Sequence, residues 1–363
     1  MRLAELAAAV PHRLRVPTAG PTGGSGDRET PRADPDPEIL SLTHDSRKVR
    51  PGALFAAFPG LKADGRAFLA EAVSRGAAAA LGEPPAPETL AVPYLEVANA
   101  RRAAGVLAAR LAGDPCEKLV MAGLTGTSGK TTTSLLLDAV LAEKHAVRGL
   151  FGTLVYRGAS GEVEASRTTP EATELAPLLA ELAANGGTAV TMECSSHALS
   201  LERLAGTRFD VAAFLNLSRD HLDFHAGLDS YFEAKALLFS LLKPRGHAVV
   251  NVDDPYGARL AGRLGPILGA SRVVTFSLRE ATGATVHGGV DPTNEGLGLT
   301  ITSPRFSISG SDLVVTSPLL GRPNAENLLA AAACALALEV TPSSIARALS
   351  GVVRVPGRLE PVS

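Results

Sequence analysis

The segment from Leu119 to Thr133, LVMAGLTGTSGKTTT, constrains the fold more than any other part of the chain. An apolar strand pattern leads into a glycine turn, a lysine and threonines, and then into a helix pattern rich in leucine. In such a turn the glycines let successive backbone N–H groups face phosphate oxygens, and the following helix adds its positive N-terminal end. The segment therefore predicts a loop that holds a nucleoside triphosphate. The alternative is an ordinary glycine turn between a strand and a helix.

The predicted phosphate loop gives its polar residues specific roles. Lys130 supplies a charge for the β- and γ-phosphates, and Thr131 offers a hydroxyl to Mg²⁺. The strict form of the pattern has glycine where this chain has Leu124, so the match is incomplete. The residues predicted to bind ATP here are Gly126, Thr127, Ser128, Gly129, Lys130, Thr131 and Thr132.

Composition excludes several classes of protein. The chain has 363 residues, enough for two or three domains of roughly 100–200 residues. Its net charge of -2 gives no reason to expect nucleic acid or an anionic membrane as partner. The three cysteines have no paired spacing, and no run of about 20 apolar residues and no signal-peptide pattern is seen. We therefore expect a cytoplasmic protein and take a monomer as the default.

Periodicity divides the chain into two α/β domains. The first, residues 1–114, alternates short apolar segments with helix patterns such as Ala100–Leu111, and its Pro- and Gly-rich stretch 17–37 is predicted to be a flexible insertion. The second, residues 115–354, repeats strand-then-helix units typical of a doubly wound, mostly parallel sheet. Its predicted buried strands are Thr188–Cys194, Val211–Leu217, His247–Val252 and Val273–Ser277.

The end of the second domain has a different pattern. Three alternating segments, Leu297–Thr302, Phe306–Ser309 and Leu313–Thr316, predict a short antiparallel β subregion. Glu326–Leu338 then predicts an apolar helix, with Asn324 and Asn327 near its start. Capping explains one of these asparagines, and contact with a nucleotide explains the other.

Polar residues follow two of the predicted strands, where open α/β sheets bind ligands. Glu193 ends one strand, and its carboxylate suits a Mg²⁺ shared with the triphosphate. The alternative for this segment is a serine that caps a helix. After the next strand, one loop collects Asn216, Arg219, Asp220, His221, Asp223 and His225. This density of polar side chains favours a binding site over structural histidines.

The residues alone do not decide the role of two further parts of the chain. Lys235 lies on an amphipathic helix pattern, where an ordinary exposed lysine is the preferred interpretation. In the first domain, loops 43–55 and 60–68 combine Ser, Arg and Lys with glycines. Such loops suit recognition of a diphosphate, and they equally suit ordinary turns.

Taken in order, these segments resemble the Mur ligases, and among them the ligases that form the muramoyl tripeptide. The run Met192–Leu199 separates the chain from ligases that add other amino acids and from folylpolyglutamate and cyanophycin synthetases. The matching segments are Asp45–Gly52, Asp64–Arg66, Thr125–Thr132, Thr168–Pro170, Met192–Leu199, Asn216–His225, Glu233–Lys235 and Val355–Arg358.

The resemblance implies roles for individual residues. Lys235 is the lysine that CO₂ carbamylates to a metal ligand, and Glu193 and His221 complete the metal sites with Thr131. Asn324 and Asn327 lie near the adenine. The residues implied to contact the UDP end of the substrate are His44, Ser46, Arg47, Leu61, Lys62 and Ala63. Those implied to hold its muramoyl-dipeptide portion are Thr168, Thr169, Ser195 and Arg203.

The resemblance also implies a reaction. An ATP-dependent ligase adds a diamino acid to UDP-N-acetylmuramoyl-L-alanyl-D-glutamate through an acyl phosphate, in the synthesis of peptidoglycan precursors. The diamino acid is expected to be meso-diaminopimelate rather than L-lysine, and Lys130, Glu193, His221 and Lys235 are the implied catalytic residues. The family has a third domain, so residues 355–363 are expected to be a linker and the chain an incomplete form. The alternatives are another Mur-like ligase, such as a folylpolyglutamate synthetase, and a non-catalytic module that binds nucleotide and UDP-sugar.

Overall fold

The computed structural model describes residues 1–17, 34–60, 64–89, 91–279, 283–293, 296–303, 313–352 and 354–355. The chain forms two compact units. Unit 1 contains Met1–Pro115, Glu171–Ala180 and Leu201–Thr207, and unit 2 contains Cys116–Pro170, Glu181–Ser200 and Arg208–Ser363. The predicted domain boundary at 114/115 stays a prediction. Four predictions lie outside the described residues, wholly or for the most part: the insertion 17–37, the loop Leu61, Lys62 and Ala63, the strand Phe306–Ser309 and the linker 355–363.

Unit 1 is a small α/β layer structure. Its helices are α1 (Leu3–Ala7), α2 (Leu69–Ser74) and α3 (Ala100–Leu111), and its strands are β1 (Arg13–Arg15), β2 (Ser41–Thr43), β3 (Ala53–Ala57), β4 (Ala77–Gly82) and β5 (Tyr94–Glu96). The strand order is β1-β5-β4-β3-β2, with β2 to β5 parallel and β1 antiparallel at the edge. Every residue of β3 is buried, because apolar clusters cover both faces of the sheet. The predicted helix Ala100–Leu111 is confirmed residue for residue.

Unit 2 is built on one large sheet. Its strands are β6 (Val120–Thr125), β7 (Arg148–Phe151), β8 (Val155–Gly158), β9 (Gly161–Glu164), β10 (Ala189–Glu193), β11 (Phe209–Phe214), β12 (Leu242–Asn251), β13 (Val273–Ser277), β14 (Val286–Thr293), β15 (Gly296–Thr302) and β16 (Leu313–Ser317). Among the residues described, their order is β16-β15-β14-β13-β12-β11-β6-β10-β7-β8-β9. The central strands from β14 to β7 are parallel, and both ends are antiparallel. The predicted fold class, a mostly parallel sheet with an antiparallel subregion, is confirmed.

Helices flank the large sheet. They are α4 (Lys130–Leu141), α6 (Ser196–Ser200), α7 (Leu228–Ala236), α8 (Pro255–Leu268), α9 (Arg322–Ala337) and α10 (Pro342–Gly351), and α5 (Ala172–Ala184) runs from unit 1 into unit 2 along the chain. The alanine run of α9 is buried, and α4 and α9 share one apolar cluster with the sheet. Within the described part of the chain, the helices are too short or too polar to cross a membrane.

Candidate functional site

The polar residues of the candidate site gather at one edge of the unit 2 sheet. Strands β10 and β11 flank β6, and all three are parallel. In the register, Glu193 lies opposite Leu124 and Phe214 lies opposite Thr125. The carboxyl ends of the three strands therefore coincide, and the loops that follow them meet at that edge.

The loop after β6 has the shape that the sequence predicts for a phosphate-binding turn. Gly129 has φ of 82°, and a β-carbon there would lie 2.3 Å from Oδ1 of Asn327, so glycine is required at this position. Helix α4 begins at Lys130, whose Nζ donates to the carbonyl oxygens of Gly126 at 2.7 Å and Thr127 at 3.1 Å. The loop and the start of α4 thus provide backbone N–H groups, a helix N-terminus and an ammonium group together.

A neighbouring loop holds the phosphate loop in place. The Oδ1 atom of Asn216 accepts from the backbone N–H of Ser128 at 2.9 Å, and its Nδ2 donates to the Ser128 carbonyl at 3.2 Å. The Thr127 hydroxyl accepts from the N–H of Ser218 at 3.0 Å. The segment Asn216–His225 therefore supports the loop, a role for Asn216 that sequence reasoning did not assign.

Glu193 and Thr131 form a buried oxygen pair beside the loop. Glu193 is 1 % exposed, and its Oε2 accepts from the Thr131 hydroxyl at 3.2 Å. The carboxylate also accepts from the backbone N–H and the hydroxyl of Thr153, at 2.8 Å and 3.1 Å. Within the described ranges, no Lys, Arg or His forms an ion pair with it. A carboxylate beside a hydroxyl, with no ion pair to a described basic residue, provides the oxygen ligands that Mg²⁺ prefers.

Lys235 is buried, and the interpretation of it as an ordinary exposed lysine is wrong. It is 1 % exposed, its Nζ donates to the Gly126 carbonyl at 2.8 Å, and this atom lies 4.3 Å from the ring centre of Tyr231. Burial, with the positive charge of Lys130 nearby, lowers the pKa of Lys235 to about 6. Lys235 lies four residues after Tyr231 and three after Phe232, so the helix period places it on the buried side of α7, and only its charge favoured exposure.

The histidines of the polar loop divide into an exposed and a buried one. His221 is exposed, with φ of 53°, and its Nε2 lies 3.5 Å from Oδ2 of Asp220. His225 is buried, and its Nε2 lies 3.0 Å from the Ser196 hydroxyl. Burial, then the nearby His197, Lys235 and His221, lowers the pKa of His225. No group of three His, Cys, Asp or Glu residues suited to a metal occurs in the part of the chain that the structure describes, and the metal role of His221 stays a prediction.

Three of the predicted substrate residues lie near Glu193. The Thr169 hydroxyl donates to the Glu193 carbonyl at 2.8 Å and accepts from the N–H of Ser195 at 3.1 Å. The Ser195 hydroxyl accepts from the N–H of Ala198 at 3.2 Å, so this serine caps α6, as the alternative proposed. Thr168 lies 3.2 Å from Thr153, hydroxyl to hydroxyl.

The asparagines of α9 require a correction. The helix begins at Arg322, so Asn324 and Asn327 lie inside it and neither caps it. Gly321, with φ of 82°, and Pro323 in the first turn start the helix earlier than the apolar pattern indicated. Asn327 accepts from the Thr133 hydroxyl at 3.2 Å and donates to Asn324 at 3.3 Å, which connects α9 to the phosphate-loop helix.

The predicted UDP-contacting residues of unit 1 are held by their own neighbours. Nδ1 of His44 lies 2.7 Å from the Thr173 hydroxyl, and the Ser46 hydroxyl donates to Glu71 at 2.7 Å. Arg47 forms two hydrogen bonds with Asp45, at 2.9 Å and 2.8 Å. These bonds, more than opposing burial, lower the pKa of Asp45 to about 2.

Arg203, which was predicted to hold the muramoyl-dipeptide portion, lies in unit 1. Its Nε is 2.9 Å from Oε1 of Glu171, and Arg101 pairs with the other oxygen of that carboxylate at 2.8 Å. The buried Glu171 therefore orients two guanidinium groups. Sequence reasoning did not identify Glu171 as the partner of Arg203, because the two residues lie more than thirty positions apart along the chain.

Family comparison then decides what kind of site this is. The Mur ligase middle domain matches residues 124–335, and the catalytic domain of the Mur ligase family matches residues 38–111. The chain belongs to the Mur ligase family. The middle-domain match contains the phosphate loop, Glu193, the polar loop 216–225 and Lys235, so the assembled edge lies in the family's own middle domain.

Individual Mur ligases are similar to this chain over nearly its whole length. It is 41 % identical over 334 residues to the UDP-N-acetylmuramoyl-L-alanyl-D-glutamate–2,6-diaminopimelate ligase of Solibacter usitatus, covering 90 % of this chain and 64 % of that protein. It is 38 % identical to the UDP-N-acetylmuramyl-tripeptide synthetase of Deinococcus radiodurans, covering 99 % and 69 %. A solved diaminopimelate ligase superposes with a TM-score of 0.76 at 29 % identity, covering 90 % and 65 %. The chain thus spans about two thirds of the length of these relatives.

Proposed function

We propose that the chain binds and activates substrate for an ATP-dependent ligase of the MurE branch, the Mur ligases that form the muramoyl tripeptide. The reaction adds meso-diaminopimelate to UDP-N-acetylmuramoyl-L-alanyl-D-glutamate during synthesis of peptidoglycan precursors. The observation that carries the proposal is the buried Thr131 and Glu193 pair, 3.2 Å apart at the phosphate loop. The name of the Solibacter usitatus relative supports the choice of both substrates, and the name of the Deinococcus radiodurans relative supports a muramyl tripeptide as product.

The residues of unit 2 suit transfer of the γ-phosphate to a carboxylate. A free carboxylate is a poor electrophile. The D-glutamate side-chain carboxylate therefore attacks the γ-phosphate of ATP, ADP leaves, and an acyl phosphate forms. The diamino acid amine then attacks the acyl carbon, phosphate leaves, and the amine loses a proton. Lys130 and the N–H groups of residues 129–132 neutralise charge that develops on the phosphates. Thr131 and Glu193 would hold Mg²⁺, which supplies further charge stabilisation when bound. Asn324 and Asn327 are proposed to face the adenine.

Lys235 is proposed to react with CO₂. Its lowered pKa leaves the amine neutral near pH 7, and only the neutral amine has a lone pair for attack. The nitrogen bonds to the carbon of CO₂, one C=O electron pair moves to oxygen, and the amine proton leaves to solvent. The product is a carboxylate-like group that, with Glu193 and His221, would add oxygen and nitrogen ligands for a metal.

The remaining predicted contacts complete the proposal. The UDP end of the substrate is assigned to His44, Ser46, Arg47 and the loop Leu61, Lys62 and Ala63. The muramoyl dipeptide is assigned to Thr168, Thr169, Ser195 and Arg203. We further propose that the protein works as a cytoplasmic monomer, without nucleic acid or membrane partners.

Trapping of the acyl phosphate tests the proposal. The purified protein is incubated with Mg²⁺, ATP, UDP-N-acetylmuramoyl-L-alanyl-D-glutamate and hydroxylamine, and the hydroxamate and ADP are measured by mass spectrometry. Both products are expected, and replacing hydroxylamine with meso-diaminopimelate tests the second step separately. UDP-N-acetylmuramoyl-L-alanine, which lacks the reacting carboxylate, is the matched control. ADP release that does not depend on the dipeptide substrate would contradict the assignment.

A further inference from the structure

Thr153 lies between two groups that the proposed function uses. It follows β7 at the same sheet edge, and it is bound to both carboxylate oxygens of Glu193, through its N–H at 2.8 Å and its hydroxyl at 3.1 Å. The same hydroxyl lies 3.2 Å from that of Thr168. Thr153 therefore connects the proposed metal carboxylate to a residue that is proposed to hold substrate.

The direction of each hydrogen bond follows from the chemistry of the groups. An ionised carboxylate only accepts hydrogen bonds, and a hydroxyl has one proton to donate. Because the Thr153 proton is donated to Glu193, the hydroxyl of Thr153 can only accept from Thr168. The Thr168 proton is then committed to Thr153, and the Thr168 oxygen presents lone pairs to its remaining neighbours.

The backbone beside Thr153 is fitted to the same carboxylate. A β-carbon on Gly152 would lie 2.4 Å from Oε1 of Glu193. Glycine at position 152 thus lets the chain pass close enough for the N–H of Thr153 to reach this oxygen. Two adjacent residues, Gly152 and Thr153, are therefore constrained by contact with the Glu193 carboxylate. A chance surface contact would not constrain both.

We propose that Thr153 is a positioning residue for Glu193 and sets the proton direction in the chain from Thr168 through Thr153 to Glu193. Its two bonds fix both oxygens, which leaves the carboxylate in one orientation beside Thr131. Thr168 consequently offers an acceptor, so it binds an N–H or O–H group of the substrate and disfavours an anionic group. This inference rests on the proposed function, since it assumes that Glu193 holds Mg²⁺ and Thr168 holds substrate.

Binding of a non-hydrolysable ATP analogue tests the proposal without turnover. Calorimetry measures the affinity of AMP-PNP at several Mg²⁺ concentrations and in EDTA. Thr153→Val keeps the shape of the side chain and removes the hydroxyl, and we expect it to weaken the apparent Mg²⁺ affinity about tenfold, as loss of an outer hydrogen bond to a metal ligand typically does. Affinity in EDTA is expected to stay unchanged, and Thr153→Ser to restore the Mg²⁺ dependence.

Two further variants keep the test specific. Thr316→Val removes an exposed threonine hydroxyl on β16 and is expected to leave both affinities unchanged. Thr168→Val is expected to weaken Mg²⁺ binding slightly in the wild type and not at all in the Thr153→Val background, because its effect passes through Thr153. Wild-type Mg²⁺ affinity in Thr153→Val would overturn this inference alone. Absence of any Mg²⁺-dependent binding by the wild type would instead overturn the proposed function.

Discussion

The two units hold their predicted ligand-binding residues in different ways. In unit 2, Glu193 and Lys235 are each 1 % exposed and are bound by groups from other parts of the chain. In unit 1, the Arg47 side chain is 80 % exposed and pairs with Asp45, two residues away. A buried polar group that loses its partners is strongly unfavourable, whereas an exposed one finds water. Substitution of Glu193 or Lys235 should therefore change stability and binding together, and substitution of Arg47 should change mainly binding.

Removal of the phosphate-loop lysine is expected to give the largest effect on binding. Lys130→Ala removes an ammonium group that is positioned by the loop carbonyls of Gly126 and Thr127. A hydrogen bond to a charged group contributes about 1.5–3 kcal/mol, so loss of Lys130 should weaken ATP binding by about tenfold to a hundredfold. Calorimetry with ATP and Mg²⁺ measures this change.

An exposed lysine provides the control for charge. Lys118 lies on the surface before β6, and Lys118→Ala removes the same formal charge. It should leave ATP affinity unchanged. An equal loss of affinity in both variants would mean that ATP responds to net charge rather than to the phosphate loop.

A pair of glycines tests the difference between the units directly. Gly129 and Gly52 have nearly equal φ values, 82° and 83°, so alanine is strained at both by about 1–2 kcal/mol. A β-carbon at Gly129 would also lie 2.3 Å from Oδ1 of buried Asn327, whereas at Gly52 it would lie 2.9 Å from the side chain of exposed Leu40, which can move. Urea unfolding should show a larger loss of stability for Gly129→Ala, and only that variant should lose ATP affinity. Equal losses would show that local backbone strain alone decides both positions.

The elements that the sequence predicted best are those with strong local patterns. The boundaries of α3 follow from its helical apolar period and those of β13 from a short, mostly apolar segment, and the phosphate loop follows from its glycines and lysine. The strands β8 and β9 were not predicted, because every residue of β9 is exposed and no apolar period marks it. Thr153 lies in the turn between β7 and β8, directly before that hairpin.

The parts of the site that were missed depend on contacts between distant residues. Thr153 reaches Glu193 across forty positions, and Lys235 reaches Gly126 across more than a hundred. Lys235 shares the apolar side of α7 with Tyr231 and Phe232, but its charge favoured exposure, because lysine is seldom fully buried unless it is paired. Burial of a charged group is decided by tertiary structure, so a single sequence without such contacts gives the wrong environment.

The last prediction concerns the free energy of unfolding, whose change per pH unit is small. It is the most direct test of the burial of Lys235. Its pKa is lowered to about 6 in the folded protein, and the unfolded chain has the ordinary value of about 10.4. Between these values the unfolded chain binds more protons, so this lysine makes stability rise with pH by up to about 1.4 kcal/mol per pH unit. Lys235→Met should remove this slope.

Unfolding in urea at pH 6.5, 7.5 and 8.5, in buffer without CO₂ or Mg²⁺, measures the slope. The stability of Lys235→Met relative to the wild type should be greatest at pH 6.5, where the unfolded state of the wild type gains most from protonation, and should decline as pH rises. Exposed Lys118→Met should keep the wild-type slope. Added bicarbonate should stabilise the wild type and leave Lys235→Met unchanged, because only the buried amine can form a carbamate at this site. A wild-type slope in Lys235→Met would mean that the Lys235 amine is hydrated in the folded wild-type protein. The difference between buried and exposed polar residues would then not extend to Lys235.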